Sequence, residues 1–66
     1  MKSHLIIKLA KLEARKIPAK VLRSEIEKII RNCGDTLELL VYSDALEHKI
    51  GIKDADEFMD KIYESL

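Results

Sequence analysis

Three side chains in this 66-residue chain carry chemistry near neutral pH: His4, Cys33 and His48. They stand far apart and match none of the paired spacings with which zinc sites are built. No metal and no cofactor is therefore expected. Cys33 is the only cysteine and lies near the C-terminal end of a helical pattern, the end whose dipole disfavours a thiolate. On the apolar face of that helix it reads as an inert core thiol, with an intermolecular disulfide or a redox switch as its functional alternative. His48 reads as a packed or exposed histidine, with pH sensing as its alternative, and His4 has no assigned role. Carboxylates are plentiful, but they fall on what read as solvated helix faces. A catalytic carboxylate needs a pocket that shifts its pKa, and a core this small encloses none easily. There is no glycine-rich phosphate loop, nucleophile elbow or metal-binding histidine pair. The expectation is a protein that is not an enzyme and takes no small-molecule substrate.

The cations suggest a different chemistry. Residues 1–33 hold nine Lys and Arg against three Glu, a surplus of six positive charges, and residues 34–66 hold the mirror-image surplus of six negative ones. The formal net charge of zero hides this split. Three arrangements fit it. Basic and acidic elements can neutralise each other within one fold, or complement each other between subunits. In the third, the basic half faces nucleic acid while the acidic half limits non-specific binding. On that last reading Lys8, Lys11, Arg15, Lys20, Arg23, Lys28 and Arg31 contact phosphates, and two basic helices followed by a hairpin suit a winged-helix arrangement. Against it, the pI is about 6.7, whereas nucleic-acid modules usually exceed about 9. The basic half also lacks aromatic residues for stacking on bases, and nearly lacks the amide and hydroxyl side chains that read base edges.

The elements that position these residues follow from periodicity. Leu5, Ile6, Leu9 and Leu12 share one face of a helix over 3–16, with Lys8, Lys11 and Arg15 opposite. Ile7 falls off that apolar face. After Pro18 a second helix over about 18–33 carries Leu22, Ile26, Ile29, Ile30 and Cys33 on one side, and Gly34 stands where a left-handed stop is expected. Residues 35–52 are ambiguous. Asp35-Thr36-Leu37-Glu38 fits a helix-starting capping box. A helix continued from it, however, is apolar all round, which is a weak pattern for a surface helix. Read at period two, Leu37, Leu39 and Val41 alternate onto one face, and Leu46, His48, Ile50 and Ile52 onto another, with Ser43-Asp44-Ala45 as the turn. The β-hairpin is preferred. Asp54-Ala55-Asp56-Glu57 then opens a last helix with Phe58, Met59, Ile62, Tyr63 and Leu66 as its stripe and an acidic outer face. A helix-turn-helix over Leu46–Ile52 is rejected as a recognition unit, because Glu47 takes a normally small position and phosphates would repel the acidic helix that follows.

Two short stretches, Ile17-Pro18-Ala19-Lys20-Val21 and Gly34-Asp35-Thr36-Leu37-Glu38-Leu39, resemble the AbrB-type antitoxin and transition-regulator family. They cover about eleven residues, and the helix read before Ile17 and the long helix read between the two stretches depart from that family's pattern, so no residue role is carried over.

The expected fold is a single small α+β domain over 1–66: two N-terminal helices, a β-hairpin and a C-terminal helix. An all-α four-helix bundle is the alternative. The expected core comprises Leu5, Leu9, Leu12, Leu22, Ile26, Ile29, Leu37, Leu39, Ile50, Phe58, Met59 and Ile62. A chain this short buries only about 60% of its extended surface, and the lone cysteine offers no internal disulfide. By elimination, self-association or a protein partner supplies the missing stability. The first functional expectation is thus a self-associating interaction module, with Ile7, Leu40 and Tyr42 as candidate interface residues left outside the assigned faces. A small DNA-binding regulator is the alternative. One thiol, no secretory pattern and no apolar run near the roughly 20 residues of a membrane span lead to a cytoplasmic expectation without membrane partners.

Overall fold

The computed structural model describes the backbone of residues 2–66 and the side chains from Leu5 onward; His4 lies outside the described side chains. Four helices follow one another: α1 (Lys2–Ala14), α2 (Ala19–Arg31), α3 (Thr36–Ile50) and α4 (Ile52–Glu64). No strand occurs among the described residues. The expected α+β fold with its hairpin is therefore corrected to the all-α architecture.

The ambiguous segment explains the error. Residues 36–50 form one helix that is apolar on several sides because it is the central one. α3 packs against α1, α2 and α4, and Val41, Ser43, Ala45 and Leu46 are buried around its circumference. Exposure does not follow polarity along it, since Leu37 and Leu40 are exposed while Ser43 is buried, and that removes the amphipathic rhythm. Its start was readable: Asp35 is the N-cap, its Oδ1 accepting from the Leu37 amide at 2.9 Å. Its end is Gly51, at φ 94° and ψ 154°, a region that only glycine enters at low cost. α4 begins one residue later and not at the Asp54 capping box. The helix-turn-helix pattern at Leu46–Ile52 is thus a structural turn between two packed helices.

α2 matches its sequence pattern. Leu22, Ile26, Ile29 and Ile30 are buried on one side because they recur at three- and four-residue spacing. Its terminator sits one residue earlier than expected. The Gly34 amide donates to the Ile29 carbonyl at 2.8 Å and the Cys33 amide to that of Ile30 at 3.4 Å, the paired bonds of a Schellman stop. Cys33, not Gly34, takes the left-handed backbone, at φ 51°. Its side chain is consequently exposed, which overturns its assignment to the core.

The core is formed by Leu22, Ile26 and Ile30 of α2, Val41, Ala45 and Leu46 of α3, and Ala55 and Ile62 of α4, with Ala14 from α1. Leu39, Ile50, Phe58 and Met59 pack against it. Four expected core residues are not there: Leu5, Leu9, Leu12 and Leu37 are all exposed.

Candidate interaction surface

α1 differs from the other helices in how it is held. Among the described residues it packs on α3 alone, while α2, α3 and α4 are in mutual contact. It docks through small side chains. Ala14 is buried, and Ala10 and Ile7, three and four residues apart on the same side, are half-buried. Alanines let two helix backbones approach closely and leave large side chains on the far side without a partner. Leu5, Leu9 and Leu12 lie on that far side, 60%, 53% and 45% exposed, with Ile6 beside them at 65%.

The outcome reverses the assignment made from periodicity. The strongest apolar face of α1 points to solvent and the residue left over, Ile7, turns towards the protein. Of the three candidate interface residues, Leu40 on α3 is exposed, whereas Ile7 and Tyr42 are half-buried. The leucine stripe was missed because a period of 3.6 reports that residues share a face, not which way the face points. The usable signal was the second face of the same helix, Ile7, Ala10 and Ala14, whose small residues mark a close helix contact.

Beside this stripe, a groove of about 580 Å³ runs between the C-terminal half of α1 and the N-terminal half of α3. Ala14, Ile17 and Val41 give it apolar walls, and Glu13, Asp35 and Glu38 add three carboxylates. Its chemistry would suit an apolar group carrying a positive charge. No group of three His, Cys, Asp or Glu side chains able to hold a metal occurs among the described residues.

The seven candidate phosphate contacts are not brought onto one surface. Lys8 and Lys11 stand on α1 and Arg15 just past its end, and Lys20, Arg23, Lys28 and Arg31 on α2, two helices that do not pack on each other. Several are already engaged. Arg15 Nη2 donates to Asp44 at 3.3 Å, tying basic α1 to α3. Arg31 meets Glu27 at 2.8 Å and donates to Ser65 Oγ at 3.0 Å, beyond the end of α4. Lys28 lies 3.8 Å from Glu25, and Arg23 stands over the Phe58 ring at 5.9 Å from its centroid. Lys8, Lys11 and Lys20 have no carboxylate within ion-pair distance among the described residues. Basic α2 packs against acidic α4, but among the described residues only Arg15–Asp44 joins the two halves by an ion pair, and Lys28 and Arg31 pair with Glu25 and Glu27 of their own helix. His48 is exposed on α3, and the acidic residues of α4, Asp56, Glu57, Asp60 and Glu64, are solvated. Among the described residues, no helix is long and apolar enough to cross a membrane.

No protein-family model matches this chain, and neither a curated protein nor a solved structure is similar to it.

Proposed function

We propose that the chain is a non-enzymatic protein–protein interaction module that self-associates. The observation carrying this reading is the outward leucine stripe of α1. Three leucines and an isoleucine, each about half exposed or more, lie contiguous on a helix supported from one side only. Contiguous apolar patches on small proteins are costly in water and mark contact sites. A helix of 13 residues is also near the lower limit at which helices persist in water without packing. Covering its second face would secure it. Light scattering coupled to gel filtration tests the reading across a concentration series. A mass rising from one chain towards two with concentration supports it, and one chain's mass throughout overturns it.

A second reading, a small DNA-binding regulator, is favoured by the shared outer face of α2, where Lys20, Arg23, Lys28 and Arg31 stand exposed. Without the hairpin there is no wing, so binding would rest on phosphate contacts by that helix. Titration onto a random duplex at about 50 mM salt tests it, since four phosphate contacts imply a log–log salt slope near −3.6. No binding at low salt removes this reading.

A further inference from the structure

The interaction reading leaves the partner and its geometry open. Resting on that reading, we propose that the partner of α1 is the α1 of a second copy, running parallel and in register.

The argument starts from spacing. Leu5, Leu9 and Leu12 recur at four and three residues, the alternation that generates a coiled-coil seam, and all three lie within α1. On this seam Leu9 takes an a position and Leu5 and Leu12 take d positions. The flanking positions then follow: Lys8 falls at g, and Ile6 and Glu13 at e. In a parallel pair, a g residue meets the e residue five places further along the other helix. From Lys8 that residue is Glu13 of the second copy. The pairing occurs twice across the two-fold axis, and each time it joins opposite charges. Both side chains are free to make it, because Lys8 and Glu13 are exposed and, among the described residues, the only ion-pair partner of Glu13 is Lys16, at 3.3 Å with both side chains about three-quarters exposed.

The antiparallel alternative is worse on both counts. It sets g against g and e against e, so Lys8 approaches Lys8 of the other copy. It also packs each a against a d, which leaves two leucine pairs and displaces the third leucine onto a lysine. The parallel arrangement stacks three leucine layers, Leu5 on Leu5, Leu9 on Leu9 and Leu12 on Leu12. The fold permits the assembly. The leucine stripe lies on the side of α1 away from α3, so a two-fold axis parallel to α1 places the two bodies on opposite sides of the seam.

The test uses the full chain with Cys33 changed to Gly, a residue suited to the left-handed backbone there, so that no native thiol remains. Leu12→Cys is then introduced and the protein oxidised under mild conditions. A parallel, in-register pair brings the two thiols together, and the expected product is a disulfide-linked dimer in high yield. Lys20→Cys, on α2 and away from the seam, provides the background rate. The charge pairs are tested separately. Lys8→Glu is expected to weaken dimerisation about tenfold, and adding Glu13→Lys to restore it to within about threefold of the starting protein. Leu9→Lys is expected to weaken it at least a hundredfold, since it removes a leucine layer and buries a charge, with the circular dichroism of the monomer unchanged. The failures are distinguishable. A wild-type protein that stays monomeric overturns the interaction reading and this inference together. A protein that dimerises while the Leu12→Cys variant cross-links no faster than the background control, or while Leu9→Lys leaves the dimer intact, keeps the reading and overturns the α1 pairing.

Discussion

α1 and α2 are helices of equal length, 13 residues each, and both carry apolar residues at helical spacing, yet they relate to the core in opposite ways. α2 has one apolar face, bounded by Lys20, Arg23, Lys28 and Arg31, and that face is buried. α1 has two, one of leucines and one of small residues, and the small one is buried. The comparison teaches that a second apolar face, even one made of alanines, removes the orientational meaning of the first. Apolar area alone would favour burying the leucines. Close approach to α3 through Ala10 and Ala14 gains dispersion contacts along the backbone instead, and leaves the leucines for a contact outside this chain.

The sharpest way to break this comparison is to truncate one large residue on each helix. Ile26 of α2 is fully buried, so Ile26→Ala leaves a cavity and is expected to cost about 2–5 kcal/mol, enough to unfold much of a domain this small. Leu9→Ala on α1 removes a side chain 53% exposed and is expected to change the stability of the monomer by only about 0.5 kcal/mol. Urea denaturation at dilute, monomeric concentration measures both. Equal losses would mean that Leu9 is packed in the monomer and that the two helices do not differ.

A smaller effect sharpens the same contrast from the other side. Ala14 is 3% exposed at the contact between α1 and the core. Ala14→Leu is expected to push α1 away and cost about 1–3 kcal/mol by overpacking, read as a lower thermal midpoint. A rise in the midpoint would show instead that a large residue fits there and that α1 can dock by a different face.

The elements differed in legibility for reasons that particular residues make plain. α2 and α4 were readable because each has one solvated side to contrast with a buried one, and the capping box at Asp35 correctly marked the start of α3. The body of α3 was not readable as a helix. With Val41, Ala45 and Leu46 all buried among three neighbours, its pattern is set by tertiary surroundings, and the alternation of Leu37, Leu39 and Val41 imitated a strand. The interaction surface was half legible. The leucine stripe and the Lys8–Glu13 spacing are both in the sequence, but only the docking of α1 by Ala14 shows that the stripe is outside. The charge split was legible as a count but not as geometry, since among the described residues only Arg15–Asp44 joins the halves by an ion pair while Lys28 and Arg31 pair within α2.

The smallest expected effect concerns how α2 ends, in contrast to α1, which runs without such a stop into the turn before Pro18. The Schellman bonds from Gly34 and Cys33 fix the left-handed residue at position 33, where a cysteine Cβ crowds the neighbouring carbonyl. Cys33→Gly removes that crowding. It also gives the unfolded chain more freedom, which offsets part of the gain. The side chain is exposed, so no packing is lost. The net result is expected to be a stabilisation of about 0.5–1 kcal/mol, seen as a higher urea midpoint with an unchanged slope. The complementary change, Gly34→Ala, places a Cβ 3.3 Å from the Ile29 side chain and is expected to be neutral or mildly destabilising. If Gly34→Ala proved far more damaging than any effect at position 33, the left-handed residue would be Gly34 and the terminator would sit where the sequence first placed it.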